Sequence, residues 1–156
     1  MPVSHICRKG NWMMTKSIKG TKTEKNLMIA FASESMAVNR YLYFAKVAKE
    51  EELAGIADIF TEISREEKGH ASVFYKFFEG GAVEVTASFP AVKVTDTKSN
   101  LEASIKGENA TWSTRYPDFE QTARAEGFLK IADIFKSFAN SEKSHEDKFK
   151  KALEEL

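Results

Sequence analysis

Two copies of the pattern Glu-x-x-His are the residues in this chain with the clearest potential for chemistry. They are Glu67 with His70 and Glu142 with His145, and they use two of the three histidines in the sequence. A spacing of three places both side chains on one face of a helix, one turn apart, so that both can contact one ion. A single pair also fits a surface charge pair or a hydrogen-bonded core histidine. Two pairs together favour a metal site.

Two further glutamates fall on helix faces that the apolar periodicity predicts to be buried. They are Glu34 and Glu108, and the two Glu-x-x-His pairs lie on similar inward stripes. A buried carboxylate is costly unless a cation or hydrogen-bond partners compensate for it. Four glutamates carry four negative charges, which two divalent cations would neutralise. Carboxylate and imidazole together suit iron or manganese.

The elements that must position these residues form two repeats. Residues 40–70 align with residues 115–145 at an offset of 75, with thirteen identities in thirty-one positions, and IADIF occurs verbatim at 56–60 and 131–135. Such self-similarity predicts a duplicated structural unit. Apolar residues at alternating steps of three and four indicate a helical hairpin in each unit. The predicted helices span 22–52, 54–79, 99–126 and 129–155.

Local signals predict how the first helix of each hairpin begins. Thr21-x-x-Glu24 lies at the start of the first predicted helix, and Ser99-x-x-Glu102 lies at the start of the third. Both are capping-box patterns, in which the hydroxyl and the carboxylate satisfy free backbone N–H groups.

A long connection is predicted between the two hairpins. Gly80 and Gly81 are expected to end the second helix, because glycine adopts the left-handed C-cap conformation without strain. The following residues, 82–96, alternate like a strand and contain a proline. They are long enough to carry the chain along the bundle to the next hairpin. This crossover is either a surface loop or a connection that lets two chains exchange hairpins.

Composition and charge narrow the class of protein. Lys and Arg total 23 and Asp and Glu total 23, and this zero net charge argues against a nucleic-acid partner. No apolar run approaches the ~18 residues of a membrane span, so no membrane partner and a cytoplasmic location are expected. Cys7 is the only cysteine, which excludes a disulfide scaffold and a four-thiolate metal site. Residues 1–17 are predicted to be a disordered leader and residues 18–156 a single domain.

The sequence resembles the rubrerythrin family, particularly its short members without a rubredoxin domain. The similar segments are GTKTEKNL, SESMAVNRYLYFAK, EEKGH, GENATWSTRYPDF, EGFLKIADIF and SEKSH, within residues 18–155. The resemblance implies an all-α, ferritin-like four-helix bundle that holds two iron ions, with manganese in one or both positions as the alternative. It implies reduction of hydrogen peroxide to water in oxidative-stress defence. Electrons would come from an external donor such as rubredoxin or a flavoprotein reductase, and a homodimer, with or without hairpin exchange, is expected.

The resemblance also implies six ligands, with one glutamate and one histidine for each iron and two glutamates that bridge both. The expected set is Glu34 and His70 for one iron, Glu108 and His145 for the other, and Glu67 and Glu142 as bridges.

Two tyrosines match family residues that hydrogen-bond these carboxylates. They are Tyr41 and Tyr116, for which aromatic core packing is the alternative. Glu34 and Tyr41 are seven residues apart, whereas Glu108 and Tyr116 are eight apart. If both tyrosines face the site, the third helix carries one extra residue, which a π-bulge would absorb.

The third helix departs from the family pattern at one position. The family usually has Glu-x-x-Glu there, whereas Glu108 is followed at that spacing by Thr111. A threonine hydroxyl is a poor iron ligand, so the ligand set is closer to that of bacterioferritin and the small subunit of ribonucleotide reductase. Ferroxidation with iron storage or transfer, an oxidase acting on an organic substrate, and a non-enzymatic bundle therefore stay open as alternatives to the peroxidase.

Overall fold

The computed structural model describes residues 16–156, which fold as two helical hairpins packed into one four-helix bundle. The elements are α1 (Lys22–Glu50), α2 (Ala54–Tyr75), α3 (Thr97–Ala110), a π-helical segment (Thr111–Arg115), α4 (Tyr116–Ala125) and α5 (Leu129–Glu154). Because α3, the π segment and α4 run on as one rod, they act as the third helix of the bundle. The predicted all-α architecture is confirmed. Residues 1–15, most of the predicted leader, lie outside the described residues.

The predicted repeat is visible in the aromatic core. Tyr41, Phe60 and Phe149 pack together with ring centroids 5.2–6.0 Å apart. Their equivalents at an offset of 75 form a second triad with centroids 5.2–5.9 Å apart, made of Tyr116, Phe135 and Phe74. Each triad takes two rings from one hairpin and one ring from the other. The aromatic contacts therefore hold the two halves together and relate them by an approximate twofold axis.

A second repeat-related pair ties the hairpins together at their ends. Glu51 Oε2 accepts a hydrogen bond from the Thr97 N–H at 3.1 Å, at the start of α3. Glu126, 75 residues later, accepts from the N–H groups of Lys22 at 3.1 Å and Thr23 at 2.8 Å, at the start of α1. Free N–H groups at a helix N-terminus favour negative charge. Each hairpin thus supplies a carboxylate to the first helix of the other.

One of the two predicted helix starts is confirmed and the other is wrong. Thr21 is the N-cap of α1, and its hydroxyl accepts from the Glu24 N–H at 3.1 Å. The pattern Ser99-x-x-Glu102 does not cap α3, because Asp96 does so instead. The Asp96 carboxylate accepts from the Ser99 N–H at 2.9 Å, and the helix begins two residues earlier than predicted. Aspartate is as good an N-cap as serine, and two overlapping patterns cannot be ranked by spacing alone.

The predicted end of the second helix is also wrong. α2 ends at Tyr75 rather than at residue 79, so Gly80 and Gly81 are not its C-cap. A turn in which the Phe77 N–H donates to the Phe74 carbonyl at 3.2 Å ends the helix and buries Phe77. The two glycines have φ of 87° and 86° and turn the chain into the crossover, a conformation that side chains with a Cβ rarely adopt.

The crossover forms no strand despite its alternating pattern. Within residues 16–156 there is no strand for it to pair with, and an isolated extended segment is not a sheet. Among the helices of these residues, none is both long enough and apolar enough to cross a membrane.

Candidate metal centre

The candidate centre lies between two hydrophobic clusters in the middle of the bundle. Along α1, Glu34 separates Ala30, which belongs to one cluster, from Ala37, which belongs to the other. The same change of cluster occurs at the inward glutamates of the other three long helices, Glu67, Glu108 and Glu142. All four are at most 4% exposed. The bundle thus places four carboxylates in a layer that is closed by apolar side chains above and below.

The structure brings all six predicted ligands together as two overlapping groups. In each group one ligand atom per residue lies within 4.8 Å of the others. The groups are Glu34, Glu67, His70 and Glu142, and Glu67, Glu108, Glu142 and His145. The two residues that the groups share are those predicted to be bridges.

The two shared glutamates each direct one oxygen at each imidazole. Glu142 Oε1 lies 2.9 Å from His70 Nδ1, and Glu142 Oε2 lies 2.9 Å from His145 Nδ1. Glu67 Oε2 lies 3.1 Å from His70 Nδ1, and its Oε1 lies 3.2 Å from His145 Nδ1. Both histidines therefore present Nδ1 to the same pair of carboxylates.

These spacings fit a pair of metal ions. Neighbouring ligand atoms at a divalent ion with bonds of about 2.1 Å lie about 3.0 Å apart in octahedral geometry, close to the nitrogen–oxygen distances at both histidines. Glu142 Oε1 is buried and makes no hydrogen bond within the described part of the chain, although it contacts His70 Nδ1. A cation between them would satisfy that oxygen. The buried groups are thus able to bind two ions.

The pKa values of the buried groups also indicate that the centre favours bound positive charge. Burial, together with repulsion from Glu67 and Glu142, raises the pKa of Glu34 and that of Glu108 well above the usual range. Burial opposes the imidazolium form, but hydrogen bonds with Glu142 and Glu67 raise the pKa of His145 to about 11. Protons thus supply positive charge to this cluster where cations are absent. Metal binding must displace them.

The two predicted tyrosines behave differently. The Tyr41 hydroxyl donates to Glu108 Oε1, as predicted, and its ring belongs to an aromatic triad, so both of the roles considered for it are present. Among residues 16–156 the buried Tyr116 hydroxyl finds no hydrogen-bond partner, so the bond to a carboxylate that was predicted for it is not formed. Tyr116 packs 5.5 Å from Phe135 and 5.9 Å from Phe74. For Tyr116 the structure supports the packing role.

The extra residue predicted in the third helix is present as a π-helical segment. The Tyr116 N–H bonds to the Thr111 carbonyl, five residues earlier, so the turn from Thr111 to Arg115 holds one more residue than an α-turn. This offset keeps both Glu108 and Tyr116 on the buried face. The Thr111 hydroxyl donates to the Gly107 carbonyl at 3.1 Å, a bond within its own helix.

One carboxylate beside the centre was missed by the sequence analysis. Glu66 Oε2 lies 2.6 Å from His145 Nε2, on the side of the ring that faces away from the shared glutamates. Glu66 Oε1 also accepts from Lys148 Nζ at 3.2 Å. The repeat could not have revealed it, because the equivalent position in the second half is Ser141. Within residues 16–156, His70 has no equivalent of this contact, because no carboxylate contacts its Nε2. The His70 ring instead stacks on Phe138, with the ring centroids 4.0 Å apart.

A second missed carboxylate fixes the π segment to α5. Glu146 is 2% exposed and accepts hydrogen bonds from Trp112 Nε1 and from Asn109 Nδ2, the latter at 3.3 Å. Lys150 Nζ pairs with it at 2.6 Å. Its position four residues after Glu142 could have indicated its burial, because that spacing places the two glutamates next to each other on one helix face.

Comparison with known protein families identifies the family to which this chain belongs. The Rubrerythrin family model matches residues 25–153. The chain belongs to the rubrerythrin family. It is 50% identical over 136 residues to the rubrerythrin of Porphyromonas gingivalis, covering 87% of this chain and 68% of that one. It is 47% identical over 134 residues to the rubrerythrin of Nitratidesulfovibrio vulgaris, covering 86% of this chain and 70% of the relative. The rubrerythrin family consists of di-iron proteins, and the buried Glu/His cluster of this member fits that cofactor.

Solved structures agree on the fold. A mixed-valence nigerythrin structure superposes with a TM-score of 0.76 at 26% identity, covering 94% of this chain and 70% of that one. Symerythrin from Cyanophora paradoxa, reduced with dithionite, gives a TM-score of 0.76 at 21% identity, covering 92% of this chain and 89% of that one. The predicted ferritin-like four-helix bundle is therefore confirmed.

Proposed function

We propose that this rubrerythrin is a di-iron peroxidase that reduces hydrogen peroxide to water. The observation that carries the proposal is the pair of shared carboxylates, Glu67 and Glu142, each with one oxygen toward each of two buried imidazoles. In this proposal Glu34 and His70 hold one iron, Glu108 and His145 hold the other, and the shared glutamates bridge the pair. Family membership supports peroxide as the substrate.

The protein groups around the centre are suited to the proton part of the reaction. Reduction of one peroxide consumes two electrons and two protons and yields two water molecules, and the irons, when bound, supply the electrons. Tyr41 holds a proton on a hydroxyl that is hydrogen-bonded to Glu108, and both side chains line an adjoining cavity. Burial and the nearby Glu108 charge raise the pKa of Tyr41 well above its usual value, so the hydroxyl stays protonated between turnovers. Tyr41 is therefore the proton-holding group of the proposal.

The proposal includes an external electron donor, either a rubredoxin or a flavoprotein reductase, and the described residues offer the ligands of one redox centre. A homodimer, with or without exchanged hairpins, stays a prediction that sedimentation and a mixed-variant complementation test can address.

Anaerobic mixing of the diferrous protein with hydrogen peroxide, and separately with oxygen, tests the reaction. We expect the iron absorbance to change faster with peroxide at equal concentration. Oxidation that is no faster with peroxide than with oxygen would refute the peroxidase and favour ferroxidation or an oxidase. A large hollow assembly in solution would favour iron storage.

A further inference from the structure

A cavity much larger than peroxide requires lies against the metal centre. Its volume is about 460 Å³, whereas one water molecule takes about 30 Å³ of liquid. Tyr41 and all four glutamates of the candidate centre line the cavity where it meets the centre, and neither candidate histidine ligand lines it. Such a volume is within the range of pockets for small organic molecules.

The side walls of this cavity are mostly apolar. α1 contributes Met36 and Ala37, α3 contributes Ala103, and the crossover contributes Pro90 and Val92. The crossover thus forms part of the cavity wall beside α1 and α3. An apolar wall of this kind favours a ligand with a hydrocarbon body.

Two guanidinium groups that are related by the repeat supply positive charge to the cavity, and the ammonium-bearing side chain of Lys106 also lines it. Arg40 and Arg115 both line it and both are partly buried. Arg115 Nη1 donates to Ser33 Oγ at 3.1 Å, and the Arg40 guanidinium lies 5.5 Å from the centroid of the Tyr41 ring. Across residues 16–156, neither forms a salt bridge, whereas Arg124 on the outer surface pairs with Glu120 at 2.8 Å.

The charge balance of the loaded centre leaves these two arginines uncompensated. Four glutamates at the end of the cavity carry four negative charges, and two divalent ions neutralise them. Burial lowers the pKa of Arg115, and the charge of Arg40 adds to this while Glu34 opposes it. Two cations held close together in a partly buried wall are stabilised by an anion between them. A planar guanidinium binds a carboxylate through two parallel hydrogen bonds.

We propose that this cavity binds an organic monocarboxylate with an apolar body, such as a medium-chain fatty acid. Its carboxylate lies on Arg115 and Arg40, and its hydrocarbon body lies along the apolar wall beside the metal centre. This site goes beyond the proposed peroxidase and does not depend on peroxide turnover.

Anaerobic calorimetric titration of the iron-loaded, diferrous protein with octanoate tests the proposal. Octanamide, which has the same length but no charge, is the matched ligand, and we expect it to bind at least about tenfold more weakly. We expect Arg115→Gln to weaken octanoate binding by at least about tenfold and Arg40→Gln to weaken it as well. Arg124→Gln, which removes an arginine outside the cavity, is the matched protein control and should leave binding unchanged.

Several results would overturn the proposal. Two of them are measured on the wild-type protein alone. The proposal is wrong if octanoate does not bind, or if octanoate and octanamide bind equally well. Octanoate binding that survives Arg115→Gln but disappears on iron removal would show that the carboxylate ligates the ion instead of the arginines. The peroxide reaction is measured on the same samples, so loss of turnover with intact octanoate binding would affect only the proposed peroxidase.

Discussion

Removal of the Glu66 carboxylate should weaken metal binding, although Glu66 is not a proposed ligand. Glu66 contacts His145 Nε2 at 2.6 Å, while His145 Nδ1 faces the shared glutamates. A carboxylate on the outer nitrogen fixes the orientation of a metal-binding imidazole and increases its basicity, and its loss typically costs 10–100-fold in affinity. The Glu66 side chain is 40% exposed, so solvent weakens its charge. We therefore expect the lower end, about tenfold or about 1.4 kcal/mol, for Glu66→Ala.

The neighbouring ion pairs provide a matched control for this measurement. Lys148 Nζ binds Glu62 at 2.8 Å and Glu66 at 3.2 Å, so substitution of either glutamate removes one partner of the same lysine. Of these two glutamates, Glu66 contacts His145 and Glu62 does not. Glu62→Ala should therefore leave the affinity within about twofold of the wild type.

Anaerobic titration of the metal-free protein with Fe²⁺ against a competing chelator gives the overall constant for two ions. Glu66→Gln should fall between the wild type and Glu66→Ala, because an amide oxygen still accepts a hydrogen bond but carries no charge. Equal affinities for Glu66→Ala and Glu62→Ala would refute the reasoning. A thermal unfolding curve of each metal-free variant separates a loss of affinity from a loss of folding.

Three further predictions concern the third helix, the junction of the hairpins and a turn. Thr111→Glu should raise the rate of the peroxide reaction in anaerobic stopped-flow, because a carboxylate at that position adds a ligand; an unchanged or lower rate would contradict this. Glu126→Gln should lower the free energy of unfolding by about 1 kcal/mol at pH 7. Burial opposes ionisation, but hydrogen bonds from Thr23 and the backbone lower the pKa of Glu126, so denaturant unfolding should show the loss shrinking as the pH falls through the folded pKa. Gly127→Ala should cost about 1 kcal/mol in the same assay because φ is 82° there, whereas Gly55→Ala, within a helix, should be neutral or stabilising.

The clustering of the six candidate ligands and the repeat could be predicted from the sequence because they share one physical signal. A glutamate on an otherwise apolar helical stripe has to be compensated, and four of them on four helices predict one buried centre. The extra residue between Glu108 and Tyr116 was likewise predictable, because both side chains had to stay on the same face. The structure shows the π segment that provides it.

Other features depend on contacts between elements that spacing does not determine. Glu66 lies next to Glu67 in sequence but about 100° around the helix, so it was indistinguishable from a surface residue. Its partner His145 is 79 residues away. The cavity depends on the path of the crossover, which carries Pro90 and Val92 over α1 and α3. The unpaired Tyr116 hydroxyl depends on side-chain positions that a repeat relates only approximately.

The differences between the two halves bear on how the centre would work. Duplication accounts for the near symmetry of the candidate ligands, but the surroundings differ from one side of the centre to the other. All four glutamates line the cavity beside α1 and α3, whereas on the opposite side His145 is covered by its contact with Glu66. A small molecule in the cavity therefore meets carboxylates and the Tyr41 hydroxyl, and no imidazole.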